Sequence, residues 1–325
     1  MTAFPRRRVL MAAGAFLVAS KVAPVHAADW PERPIRVLVG YSAGGGADTM
    51  ARLVAARLSA VLGQQVVVEN RAGAAGLVAA DAVANAPADG YTLMVGDSSM
   101  LIAKYMQPKL GFDPIKSFAP ISGLVKTPLM VVANNDFPAK TPKELVTALK
   151  AKPGFYSFAT AGVGTVQHLS FEMLKGQTGT FVPHIPYRGA AQIVPDVISG
   201  HVPLGVITAT AAMAHAKSGK LRALAMMSKD VLPGTENVLA VTTAVAGIDV
   251  APRLFLLAPA RTPSAIVDKI SEATRAVIGS ADFVSAAAAQ GGISDYMSPA
   301  QLAVALSEEL TRWGTVIRER KISNE

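Results

Sequence analysis

No cysteine occurs in the 325 residues, which excludes disulfides, thiolate metal sites and a lipid-anchored N-terminal cysteine. Charged residues are scarce at 17%, while hydrophobic ones reach 51%, so the chain lacks the polar balance of a disordered protein and can bury a sizeable core. Aromatics are few at 6% and form no interleaved run with Lys or Arg, which argues against nucleic-acid binding. Neither G-x-G-x-x-G nor G-K-[ST] is present, and His168, His184, His201 and His215 are spaced too widely for a local zinc signature. No cofactor and no metal are expected.

A membrane-spanning run is missing as well. Val9–Ala19 is apolar but reaches only about half of the ~20 residues that a spanning helix needs. With Arg6, Arg7 and Arg8 before it and Val25, His26, Ala27 after it, residues 1–27 read as a secretory signal of the Sec or twin-arginine type. Removing them leaves 27 basic against 23 acidic residues, halving the formal charge of +8. The expectation is a periplasmic protein with no stable membrane insertion, and its mild surplus of positive charge suits an anionic solute.

The length exceeds that of one compact domain, so two lobes are expected. Strand-like runs alternate with helix-length segments: Ile35–Gly40, then a helix over 47–62, Val66–Val68, a helix over 77–86, and Thr92–Val95. This is the pattern of an α/β fold with parallel sheets covered by helices. Thr141, Pro142 and Glu144 predict a capped helix running to about Lys150, and Thr262-Pro263 and Ser298-Pro299 open two more by the same logic. Leu302, Leu306, Leu310, Trp313 and Ile317 share one face of the last helix, with Trp313 as core anchor. Ile121–Val132 and Ala244–Ala258 read as extended segments crossing between lobes. Lobe 1 is then 28–127 plus 250–325, and lobe 2 is 128–249.

Three stretches gather candidate binding residues, each at a strand-to-helix turn. The first is Tyr41, Ser42, Ala43, Gly44, Gly45, Gly46, Ala47, Asp48, where glycines let the backbone approach a ligand and the helix start aims amides at an anion. Asp48 suits a first-turn structural acid and a ligand contact equally. The second is Ala161, Gly162, Val163, Gly164, Thr165, followed by His168, the same device placed in the other lobe so that two anion-seeking loops face each other. The third is Tyr187, Arg188, Gly189, which adds a phenol, a guanidinium and another helix start; Arg188 is the leading candidate for charge pairing.

Gly40-Tyr41-Ser42-Ala43-Gly44 also matches the G-x-S-x-G nucleophile elbow. Only about a dozen residues of the mature chain precede it, and the last histidine, His215, leaves about 110 residues behind it, so a serine esterase using Ser42 is the minor reading.

The same stretches resemble the extracytoplasmic solute-binding receptors of tripartite tricarboxylate transporters, the Bug receptors. The ordered series runs from Trp30-Pro31 through Tyr41–Asp48, Glu69–Gly73, Pro87–Leu93, Thr141–Leu145, Gly164 with His168, His184–Gly189 and Ala258-Pro259 to the closing helix. The resemblance implies a two-lobed periplasmic-binding-protein type II fold with two crossover segments and a cleft. It also implies capture of a small carboxylate-bearing solute for membrane transporter subunits, without chemistry on the solute. By position, Ser42–Asp48 would bind the carboxylate through backbone groups, and Ala161, Gly164, Thr165, His168, Tyr187, Arg188 and Gly189 would form the opposite wall. Ser98 and Ser99 either line the cleft or make a simple turn. The sequence departs from the family where Ser42, Ala43 and Gln192 replace prolines. A secreted sensor presenting its solute to a signalling partner is the alternative from another class.

Overall fold

The computed structural model describes residues 30–107, 109–320 and 322; the segment read as a secretory signal lies outside them. In chain order the strands are β1 (Ile35–Val39), β2 (Val66–Asn70), β3 (Thr92–Asp97), β4 (Phe118–Lys126), β5 (Leu129–Ala133), β6 (Phe158–Thr160), β7 (His184–Pro186), β8 (Leu204–Thr208), β9 (Arg222–Met226), β10 (Arg253–Pro259) and β11 (Ile293–Met297). The helices are α1 (Gly46–Leu62), α2 (Leu77–Ala84), α3 (Ser99–Met106), α4 (Pro142–Ala151), α5 (Val166–Thr178), α6 (Ala190–Ser199), α7 (Ala209–Lys217), α8 (Ser264–Ile278), α9 (Ala281–Ala289) and α10 (Pro299–Arg320).

Two sheets divide these strands between two lobes, in the orders β11-β4-β10-β3-β1-β2 and β7-β6-β8-β5-β9. Each is buried on both faces, and this shows in the strands. In β1, Ile35, Val37 and Val39 enter one core and Leu38 the other. In β5, Leu129, Val131 and Ala133 face one core while Met130 and Val132 face its opposite. A strand covered by helices on both sides is apolar on both faces, which explains why these runs do not alternate with polar residues; Arg36 of β1 is the exception, exposed and paired with Glu69 of β2. The sheets are mixed, however. β1 pairs parallel with β2 and β3, whereas β10 runs antiparallel to both β3 and β4. The chain that returns from the second lobe enters the first sheet against the direction of its β-α-β units.

The chain crosses between sheets at Thr127-Pro128 and returns before Arg253. The two crossings are tied together: the Thr127 amide and hydroxyl both donate to the Pro252 carbonyl, at 2.8 and 3.2 Å. The second crossing is not extended from Ala244, as the sequence suggested. Val241–Thr243 form a 3₁₀ turn and Gly247 takes φ +80°, so regular strand begins only at Arg253. Val245, Ile248 and Val250 are apolar because they cover the second lobe's core. Phe155 and Phe181 are exposed loop residues that precede β6 and β7.

The helix-start signals act in different ways. Thr141 caps α4 through the Glu144 amide at 3.2 Å, and Ser298 and Gln301 bond each other's backbone amides reciprocally. At α8 the hydroxyl does not cap: Pro263 occupies the cap position and Thr262 Oγ1 donates back to the Pro259 carbonyl at 2.8 Å. The face foreseen on α10 is buried, but it serves two lobes. Leu302 and Leu306 join the core around Phe255 and Leu257, while Trp313 and Ile317 join that of the second lobe together with Ile102 and Met106 of α3. The last turns of α10 thus lie with α3 where the two cores meet.

Candidate functional site

Ligands of α/β folds sit beyond the carboxyl ends of the strands. Here β1, β3 and β8 all point such ends at one narrow cavity of about 30 Å³ between the lobes. The first lobe contributes Tyr41, Gly45, Gly46, Ala47 and Asp97, and the second Ala161, Gln167, Gly189, Ala190 and Thr208. Thr127 and Pro252 of the crossings form part of the wall. A space of this size holds about two water molecules, so the lobes are closed upon each other. Ser42 Oγ reaches the Arg188 carbonyl at 3.4 Å, and the Val166 amide reaches Ser99 Oγ at 3.3 Å. A second, more open compartment of about 250 Å³ adjoins through Ala161 and is bordered by Gly40, Ala75, Gly162, Tyr187 and Arg188.

Two helix starts open into the inner cavity without a side-chain cap: α1 after Gly45 and α6 after Gly189. Their unpaired amides carry partial positive charge toward a narrow space. The first loop is held in place by its own acid. Asp48 accepts from the Gly44 amide at 2.9 Å, Asn70 Nδ2 at 2.9 Å and Arg52 Nε at 3.0 Å, while Asn70 Nδ2 also donates to the Tyr41 carbonyl. Burial alone would raise the Asp48 carboxyl, but the bonds from Arg52, Gly44 and Asn70 outweigh it and hold it below the ordinary carboxylate value. Of the two roles the sequence left open, the geometry assigns Asp48 to bracing the loop.

The second loop differs from its anticipated form. Thr165 caps α5 by accepting the His168 amide at 3.2 Å, and Ser99 of the other lobe accepts the Val166 amide. The α5 mouth is therefore closed, and the helix start that faces α1 is that of α6. A Cβ built on Gly45 would lie 3.9 Å from the Ala190 nitrogen. His168 lines neither compartment. Its Nδ1 accepts from the Gly164 amide at 3.3 Å, and its ring stacks on His184 at 4.1 Å. Gly164 at φ +76° and Thr165, whose hydroxyl donates to the Gly162 carbonyl at 2.8 Å, shape this turn from beneath. Burial and the adjacent His168 push the His184 ring down to about 3.

Tyr187 and Arg188 border the outer compartment. The Tyr187 hydroxyl donates to Asp196 at 2.6 Å; burial and that carboxylate push the phenol up to about 12. The Arg188 side chain is exposed and, among the described residues, forms no ion pair. Ser42 spends its hydrogen on a carbonyl, and no histidine among the described residues bonds it, so the nucleophile-elbow geometry is not assembled. Ala43 and Gly44 are exposed at the tip of the first loop. Ser98 is buried and accepts the Arg253 amide at 3.3 Å, which makes it a tie to β10.

Sequence reasoning missed Asp97, Thr127, Gln167 and Thr208. Asp97 accepts from the Tyr41 hydroxyl at 2.7 Å and the Ser99 amide at 2.9 Å. Burial raises its carboxyl to about 6 against those hydrogen bonds, and the charge of Glu309 adds to the rise. A usable signal was present, because Asp97 ends the apolar run Thr92–Gly96 at a carboxyl-terminal strand end.

Comparison with known proteins decides what kind of protein carries this cavity. Residues 50–322 match the family model described as tripartite tricarboxylate transporter family receptor. The chain belongs to that family. Protein BugT of Bordetella pertussis is 34% identical over 318 residues, covering 96% of this receptor and 97% of its own length. An R. palustris protein solved with adipate superposes with a TM-score of 0.88 at 29% identity, covering 91% of this receptor and 99% of that chain. MatC from Rhodopseudomonas palustris, solved with bound malate, gives a TM-score of 0.84 at 29% identity over 89% of this receptor and all of that chain. The receptor thus has the two-lobed α/β fold of periplasmic solute-binding proteins. Among the described residues no helix is long and apolar enough to cross a membrane.

Proposed function

We propose that this receptor captures a small carboxylate-bearing solute in the periplasm and delivers it, closed between its lobes, to the membrane subunits of a tripartite tricarboxylate-type transporter, without chemistry on the solute. The carrying observation is the convergence of two uncapped helix starts, from α1 and α6, on one narrow cavity whose wall includes no Lys, Arg or His. A carboxylate at such a place accepts backbone hydrogen bonds worth roughly 1.5 to 3 kcal/mol each, so no basic side chain is required. Family membership and the adipate- and malate-bound neighbours support the same solute class.

Arg188, exposed at the outer compartment, attracts the anion toward the mouth. The carboxylate is then desolvated between Gly45–Ala47 and Gly189-Ala190, and lobe closure completes the shell. Residues 1–27 direct export by the Sec or twin-arginine route. The closed shape is what the transporter recognises. A thermal-shift screen against mono-, di- and tricarboxylates and amino acids tests the reading: a ligand at 100 times its Kd adds about 2.7 kcal/mol of stability. No stabilisation by any acid in the panel would refute it.

A further inference from the structure

The inner cavity presents acceptors as well as donors, and the acceptors have not been accounted for. Asp97, 8% exposed, Gln167, 7% exposed, and Thr208, 9% exposed, belong to the cavity wall together with the helix mouths. Neither Gln167 Oε1 nor Thr208 Oγ1 has a hydrogen-bond partner in the protein. The Asp97 carboxylate accepts from the Tyr41 hydroxyl and from the amide and hydroxyl of Ser99, three of the roughly four bonds its oxygens can take. No cation offsets the acid from the cavity wall. Arg253, which follows Pro252, is paired with Asp295.

We propose that Asp97 sets the charge selectivity of the site: it admits a solute that carries an ammonium group beside its carboxylate, an amino acid in the broad sense, and disfavours a second carboxylate at that position. This deepens the carboxylate-receptor reading and rests on it. The cavity as it stands holds only about two waters, so a solute is taken in with the lobes further apart than here, and a dicarboxylate there would bring its second charge against a buried carboxylate. An aminocarboxylate pairs both ends instead, its anion at the amides of α1 and α6 and its cation at Asp97. Buried polar groups left without partners are costly, so their presence unpaired in a narrow cavity points to a ligand that satisfies them. The carboxyl raised to about 6 agrees with an acid that lacks its counter-ion.

The test uses matched probes on the mature receptor, with Kd measured by calorimetry. Succinate and 4-aminobutanoate differ by replacement of one carboxylate by an aminomethyl group; alanine, asparagine, malate and adipate extend the series. At pH 7.5, taken as about the pH of the measurement, the best aminocarboxylate is expected to bind at least about tenfold tighter than the best dicarboxylate. In Asp97→Asn its affinity should fall about tenfold or more while that of the dicarboxylates rises. A second readout needs no folded variant: lowering the pH through about 6 should weaken aminocarboxylate binding and strengthen dicarboxylate binding in the wild-type receptor. The other titratable groups acting on Asp97 are the Tyr41 phenol and the Glu309 carboxyl. A dicarboxylate preference that survives Asp97→Asn and is insensitive to pH overturns the role of Asp97 while the carboxylate-receptor reading stands. Binding of none of the acids overturns both.

Discussion

Replacing Gly46 by alanine is expected to preserve the fold and abolish the closed state. Gly46 opens α1 at the cavity wall, and a Cβ built there would lie 2.0 Å from Thr208 Oγ1, 3.1 Å from Thr208 Cβ and 3.3 Å from Thr210 Cβ, all on the opposite lobe. Ordinary contacts are about 3.5 to 4.0 Å, so the lobes must part by more than an ångström if the Thr208 hydroxyl stays in place and by about half an ångström if it turns away. Turning the Thr208 hydroxyl away does not remove the two Cβ contacts. The larger separation breaks a backbone hydrogen bond from the second lobe to the solute, and the smaller one stretches it. Losing one charge-assisted bond of roughly 1.5 to 3 kcal/mol raises Kd by about 10- to 150-fold. The open receptor should be no less stable, since alanine exceeds glycine as a helix former by up to about 1 kcal/mol. Calorimetry with the tightest acid found in the screen gives Kd, thermal unfolding gives the apo stability, and small-angle scattering reports closure. Adding Thr208→Gly removes both Thr208 atoms and should restore much of the affinity. An unchanged Kd in a normally folded Gly46→Ala receptor would refute closure along this contact.

Trp313→Ala should destabilise the receptor by about 3 to 5 kcal/mol in urea unfolding, because it empties a fully buried site on α10. Asp97→Asn should stabilise the apo protein above pH 6 by up to about 3 kcal/mol, since an acid whose folded value is raised loses stability as pH rises from its unfolded value to about 6; at pH 4, near the unfolded value of the acid, the difference should vanish. His184 has the opposite dependence: its folded value of about 3 lies below that of the unfolded chain, so stability falls as pH drops below about 6.5, and His184→Asn should flatten urea midpoints across that window. Ser42→Ala should leave solute affinity within about threefold, because its hydroxyl makes only a 3.4 Å bond to a carbonyl.

The elements could be read from the sequence wherever periodicity or a cap dictated one conformation. Strands such as Ile35–Val39, buried on both faces, and the Thr141 start of α4 are of this kind. The run Ala244–Ala258 misled because apolar residues covering a neighbouring core look, in one dimension, like a strand. At the site, the glycine loop Tyr41–Asp48 and the Arg188-Gly189 helix start were legible, since backbone freedom before a helix carries its own signature. The pairing of α1 with α6 was not, because the Ser99 bond that closes the α5 mouth comes from 67 residues away. Asp97 and Thr208 gain meaning only when strand ends of different lobes meet. Gln167, inside a helix, shows no local trace of facing a cavity.

The straddling of both lobes by α10 governs how the receptor can move. Beside the two connecting segments, the end of α10 places Trp313 and Ile317 in one apolar cluster with Ile102 and Met106 of α3 and the second lobe's core, so a change in lobe angle has to preserve or break packing in that shared cluster.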